Sequence, residues 1–201
     1  MTEKEKMLAG LPYQGFEEEL LALRQRAKEI LFEVNGLRPG EIERRHALLR
    51  GLLGSCGTRL FVEPPFRCDY GCNLRVGESF YANYGLVVLD CAPVTVGDDV
   101  LFGPNVSLFT AGHPLHHEPR TQGLEYALPI SIGHRVWIGG GSIVNPGVTI
   151  GDRSVIGSGS VVTHDIPADV LAVGNPCRVL RPITEADRER LLPAKADSAA
   201  K

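Results

Sequence analysis

Between residues 132 and 167 an aliphatic residue returns every six positions: Ile132, Ile138, Val144, Ile150, Ile156 and Val162. Four residues after each stand Val136, Ser142, Val148, Ser154, Ser160 and Ile166, all small or branched. A fixed period this short is the signature of a β-solenoid, in which each unit is one short strand and a turn. A helix does not fit. Six residues turn a helix by about 600°, so the aliphatic stripe would wander around it.

The same phase extends back through Val96, Phe102 and Leu108. Val76 opens the first recognisable hexad, yet it stands 20 residues before Val96, two more than three hexads. A bulge or altered turn is therefore expected within residues 82–93, and such irregularities are often functional. Ahead of it, RLFVEPP at 59–65 reads as a strand stopped by two prolines. From 111 to 128 the chain reads AGHPLHHEPRTQGLEYAL; the hexads are lost there and then resume in phase. That segment is polar, with two prolines and three histidines, and reads as a loop pushed out of the rod. After Pro167 one partial coil, LAVGNP, leads into CRVLR.

Before the coils the period changes. Leu20, Leu23, Ala27, Ile30, Leu31 and Val34 fall at helical spacing over 17–34, and Asn35-Gly36 is a natural stop. Residues 41–53 form a second amphipathic helix ended by Gly54, and Tyr13-Gln14-Gly15 reads as a lead-in loop. Two helices are too small to be a stable domain alone and are expected to pack on the solenoid. The organisation is thus an N-terminal helical segment over 1–57, a mainly β solenoid over 58–183 with the loop 111–128 extruded, and a tail over 184–201. The tail is expected to start as a short helix and to be otherwise disordered.

Composition removes several classes. A formal charge of -3 gives no reason to expect a nucleic-acid partner. No apolar run reaches the ~18 residues needed to cross a bilayer, and no signal peptide is expected at the N-terminus. Five cysteines without a framework pattern read as thiols in a reducing cytoplasm. Cys68 and Cys72 lack a second ligand pair, so no metal is expected.

The repeat, EPPFRCDYG at 63–71, FYANY at 80–84, GHPLHH at 112–117 and GNPCRV at 174–179 together resemble the maltose/galactoside O-acetyltransferases, a family of hexapeptide-repeat acyltransferases. The likeness runs over nearly the whole chain. It implies a left-handed parallel β-helix with triangular coils. It also implies a homotrimer with active sites between subunits, acetyl-CoA as donor and a sugar hydroxyl as acceptor.

Such a transfer needs a base for the hydroxyl proton, donors for the thioester oxygen as it becomes negative, and a site that fixes the carrier. Histidine suits the first task, because its unperturbed pKa of ~6.5 lies near working pH. Of His113, His116 and His117, the first sits where the chain leaves the rod and Pro114 restricts it. It also matches the family's catalytic histidine. Asn83 matches the family asparagine near the reacting centre, where it would orient the histidine or donate to the thioester oxygen. Spacing alone also allows a turn-forming asparagine there. Asp69 and Tyr81 match acceptor-side positions, and Asp69 reads equally as a solvated turn residue. Gln14 stands where many relatives carry Asp, and Cys91 where galactoside-type relatives carry Asp and maltose-type ones vary, so the acceptor's identity is open. The resemblance places the coenzyme against Gly140, Ser158, Thr163, His164, Arg178 and Arg181, with Asn83 nearby. Arg178 and Arg181 are the expected phosphate partners. His164 replaces a lysine common among relatives. Trp137 reads as a wall of the acetyl pocket or as coil packing.

Three other readings compete. One is a metal lyase of the trimeric β-helix carbonic-anhydrase type, which needs three histidines on one zinc. Another is covalent transfer through Cys91, and the last is a non-catalytic scaffold.

Overall fold

The computed structural model describes residues 1–189; the disorder expected of the tail beyond Glu189 lies outside the described residues. Three parallel sheets form the sides of a triangular coil. The first face stacks Leu74–Val76, Val94–Val96, Ile130–Ile132 and Thr149–Ile150. The second stacks Leu60–Val62, Phe80–Ala82, Leu101–Phe102, Trp137–Ile138, Val155–Ile156 and Val170–Val173. The third stacks Arg67–Cys68, Val87–Leu89, Ser107–Phe109, Ile143–Val144 and Val161–Val162. The six-residue period is one side of this triangle, and each aliphatic position is the inward residue of a rung. Ile138, Val144, Ile150, Ile156 and Val162 are fully buried in one continuous core. Burying each such side chain contributes roughly 1.5–3 kcal/mol.

The residues four after each aliphatic position turn the corners. Ser142, Ser154 and Ser160 are buried there; the hydroxyls of Ser142 and Ser154 donate to a backbone carbonyl of a neighbouring turn, and that of Ser160 to the Gly157 carbonyl of its own corner. Glycine follows the inward residue wherever coils approach closest. A Cβ on Gly97 would stand 2.8 Å from the Gly133 backbone, and one on Gly77 would stand 2.7 Å from Gly97.

The register between rungs locates every irregularity. Val76, Val96, Ile132, Ile150 and Ile166 are successive partners on the first face. Val62, Ala82, Phe102, Ile138, Ile156 and Ala172 are partners on the second. Cys68, Val88, Leu108, Val144 and Val162 are partners on the third. The steps from first face to second and from second to third are always six residues. Only the step from third to first varies: eight from Cys68 and from Val88, twenty-four from Leu108, six from Val144 and four from Val162. The expected slip thus lies at residues 89–93, recurs at 69–73, and shares one edge of the prism with the extruded loop. Asn83 is elsewhere. It begins the corner between the second and third faces, where the spacing is regular.

At the N-terminus α1 (Glu3–Leu8) precedes α2 (Glu18–Gly36) and α3 (Ile42–Leu52). The sequence reading missed α1, although Thr2 and Glu5 form a complete capping box. Ala27, Leu31 and Val34 of α2 and Leu49 and Leu52 of α3 join the solenoid core. At the far end Arg178–Pro182 turns back antiparallel on Val170–Val173, covering the last rung of the second face. A short helix, Glu185–Arg188, follows.

Candidate active site

The extruded segment is a built hairpin. Ala111–Gly112 pairs antiparallel with Leu124–Ala127, and a short helix, His117–Thr121, crosses its tip. Tyr13–Gln14, expected as a loop, is a third strand that pairs with Leu124–Ala127 from the other side. Beneath this sheet lies a second small core of Met7, Tyr13, Leu20, Tyr70, Cys91, Ala92 and Ala127. Thr110 fixes the root: its hydroxyl donates to the Leu89 carbonyl at 2.6 Å and accepts from the Ala92 amide at 2.9 Å. His113 is exposed immediately past the paired residues, so a rigid sheet delivers it to the irregular edge.

That edge gathers the acceptor-side candidates Asp69 and Cys91 from successive coils. The Cys91 thiol donates to Asp69 Oδ2 at 3.4 Å. Burial pushes the Asp69 carboxyl above its usual range, and burial also pushes the Cys91 thiol up. Neighbouring Asp90 is buried, accepts from the Tyr70 and Asn73 amides, and is pushed up to about 7 by burial. Arg24 of α2 donates to the Tyr70 hydroxyl at 2.8 Å and to the Gly15 carbonyl. Tyr13 donates to Glu125 Oε2 at 2.8 Å. Sequence reasoning missed Arg24, Tyr13 and Glu125. The alternation in LEYA was the one available sign that Glu125 belongs to a strand. Gln14 does not join the group. It alternates with the buried Tyr13, faces the other way and stays exposed opposite Leu124.

A groove of about 460 Å³ opens beside Asp69, lined by Lys28, Leu31, Phe32, Arg67 and Leu89. Tyr81 is not in it. Tyr81 projects from the second face and stacks on Phe61 at 6.0 Å. Asn83 accepts from the Tyr84 amide at 2.7 Å, a turn role that leaves its amide nitrogen available.

The expected coenzyme residues divide between two edges. Gly140 and Ser158 follow the second-face rungs, on the same corner as Asn83. Trp137 lies outward on that second face and is half-exposed. Thr163 and His164 follow the third face instead, joined by a 2.9 Å hydrogen bond. His164 shares a groove of about 370 Å³ with Arg178. Arg181 is engaged otherwise: it makes two 2.7 Å bonds to Asp187. His116 and His117 stack on each other at 4.6 Å at the loop tip. Among the described residues no three His, Cys, Asp or Glu side chains group as metal ligands. No described helix is long and apolar enough to cross a membrane.

Comparison with known proteins agrees with this architecture. Residues 6–57 match the maltose acetyltransferase hexapeptide capping motif, and residues 129–164 match the bacterial transferase hexapeptide (six repeats). The galactoside O-acetyltransferase of Escherichia coli is 46% identical, over 94% of this chain and 93% of its own. A maltose O-acetyltransferase structure from Clostridium difficile superposes with a TM-score of 0.91 at 49% identity, covering 92% of this chain and 98% of that one. A galactoside acetyltransferase in complex with coenzyme A superposes at 0.93 and 45% identity, covering 96% of each. A coil of opposite hand would not superpose so closely, so the hand is that of these relatives, the left-handed β-helix. With its capping helices, its hexapeptide coils and its extruded hairpin, the chain belongs to the maltose/galactoside O-acetyltransferase family.

Proposed function

We propose that this protein transfers the acetyl group of acetyl-CoA to a hydroxyl of a sugar acceptor of the maltose, glucose or galactoside type, with His113 as general base. The observation that carries the reading is the placement of His113. It stands on a hairpin pinned to the coil by Thr110 and to the N-terminal strand, above the edge that holds Asp69 and Cys91. Direct attack follows from this chemistry. His113 takes the hydroxyl proton as the acceptor oxygen bonds to the thioester carbon. The tetrahedral intermediate collapses by breaking the C–S bond, and the proton passes from His113 to the coenzyme sulfur. The amide nitrogen of Asn83 is suited to donate to the developing oxyanion.

The active unit is a homotrimer. Asn83 and Tyr81 rise from the second face and its corner, whereas His113 and Asp69 rise from the edge between the third face and the first. One chain presents these groups in different directions, and a neighbouring copy brings them together. An outward column on the second face supplies an apolar surface for that copy: Tyr81, Leu101 and Trp137 are direct partners on successive rungs, and Leu101 and Trp137 are 49% and 51% exposed. The five cysteines are all unpaired, which suits a cytoplasmic protein.

The covalent alternative asks Cys91 to be a thiolate, and its buried position beside Asp69 opposes that ionisation. The deciding experiment follows acetyl-CoA consumption by the wild type across a panel of mono- and disaccharides, and then by His113→Ala on the acceptor found. Turnover is expected to fall about 10²–10⁴-fold, the usual contribution of general base catalysis. Wild-type turnover by His113→Ala at saturating substrate would refute the assignment.

A further inference from the structure

The hairpin register places a carboxylate where the mechanism has a use for one. Ala111 pairs with Ala127 and Gly112 with Tyr126, and the ladder stops one residue before His113. Continued by one residue, that register sets His113 opposite Glu125. On the other side of the same strand Glu125 is the direct partner of Tyr13. Directly opposed residues of antiparallel strands share a face of the sheet, with Cβ atoms about 4.5–5.5 Å apart. The hydrogen bond from the Tyr13 hydroxyl to Glu125 Oε2 shows that this row does share its face. The three strands therefore carry a transverse row, Tyr13, Glu125, His113, turned toward the edge with Cys91 and Asp69.

The row is fixed at its buried end. Tyr13 is fully buried, and burial pushes its hydroxyl well above the ordinary phenol range, so it remains a donor to Glu125 at every working pH. Gly15 is part of the same arrangement: a Cβ there would collide with the Glu125 carboxylate. The tyrosine takes up Oε2. The other oxygen, Oε1, lies on the Gly15 side and accepts no hydrogen bond among the described residues.

We propose that Glu125 is a positioning residue for His113, accepting from the imidazole ring and stabilising the imidazolium that forms when the acceptor hydroxyl gives up its proton. This rests on His113 being the base. The charge appears on the ring only during the transfer, so a fixed carboxylate beside it stabilises the transition state more than the ground state. A carboxylate beside an imidazole favours the protonated ring. Other charged or titratable groups also face the row: Cys91 and Asp69 from the coil edge, and Arg24 and Lys28 of α2 through Asp69. Among them Asp69 is a carboxyl that burial raises above its usual range, so it must be controlled for.

The test is the pH profile of kcat for the wild type, Glu125→Gln, Tyr13→Phe and His113→Ala, each checked for folding by thermal melting. Activity of the wild type should rise with pH as the base loses its proton. In Glu125→Gln kcat should fall about 10–100-fold, the size seen when the hydrogen-bond partner of a metal-bound histidine is removed. The acid limb should move to lower pH, while KM for acetyl-CoA stays unchanged. Tyr13→Phe should lower kcat by less, with the carboxylate retained but loosened. Combining Glu125→Gln with His113→Ala should cost no more than His113→Ala alone. An Asp69→Asn background should leave the displacement caused by Glu125→Gln in place. If His113→Ala abolishes turnover but Glu125→Gln leaves the limb where it was, the positioning role is wrong and the base assignment survives. If His113→Ala retains turnover, the base assignment falls as well.

Discussion

Single side chains in this protein mostly serve the coil above or below them. Glu78 accepts from the Thr58 amide and hydroxyl and from the Arg59 amide and guanidinium, all one turn away. The Arg59 side chain, followed by Thr58, holds its carboxyl down to about 2. A carboxyl depressed in the folded state stabilises above its unfolded pKa of ~4.3, and that stabilisation is lost as the pH falls through the folded value. Glu78→Gln should therefore melt lower than the wild type at neutral pH, with the gap narrowing between about pH 4 and 2. A constant gap across that window would mean that shape, not charge, is what Glu78 contributes. The hexad that holds Glu78 was legible in the sequence. The partners of Glu78 were not, because those partners lie a full coil away in sequence.

Among elements, the rungs were the most legible and the cap the least. The hexads from Ile132 onward name the inward residues directly, because one side of the triangle equals one period. Glycine at the following position is fixed by the distance between coils. Adding a Cβ to Gly97 brings it to 2.8 Å from the Gly133 backbone, which has no side chain to swing aside. Gly97→Ala should cost about 1–3 kcal/mol, the usual penalty of overpacking, measured as a shifted midpoint in urea with an unchanged slope. The strand Tyr13–Gln14 escaped sequence reading because two residues carry no periodicity. Its partner in the hairpin is more than a hundred positions away, at Leu124 and Glu125. For the same reason Glu125 went unnoticed: its meaning comes from two cross-strand neighbours, neither adjacent in sequence. Gln14 was singled out from a motif match, yet strand alternation turns it away from the site that Tyr13 faces.

At the scale of the molecule, a single prism displays its chemistry on separate edges. The extruded loop pointed to His113, and the resemblance added Asn83, Asp69 and Tyr81 and implied that they meet between subunits. No pattern along one chain could say which edges they occupy. The apolar column on the second face makes the proposed trimer testable by its mass in solution. Leu101→Arg sets a charge between Tyr81 and Trp137, far from the hairpin in the fold. The mass in solution should drop from three chains to one, and acetyl transfer should vanish with it, while the circular dichroism of the coils persists. A monomer that retained full activity would show that each chain holds a complete site.

Confining every change of length to one corner has a consequence for how such a protein can diversify. The two constant corners keep the pitch and the inward stacking intact, so segments of very different size can leave and rejoin the rod without disturbing a single rung. Here the same port emits two short bulges bearing Asp69 and Cys91 and one long hairpin bearing His113 and Glu125. The prism behaves as a rack with one open side. Residues 69–73, 89–93 and 110–129 can be exchanged there as cartridges, leaving the coils that stack Ile138, Ile150 and Ile156 unchanged.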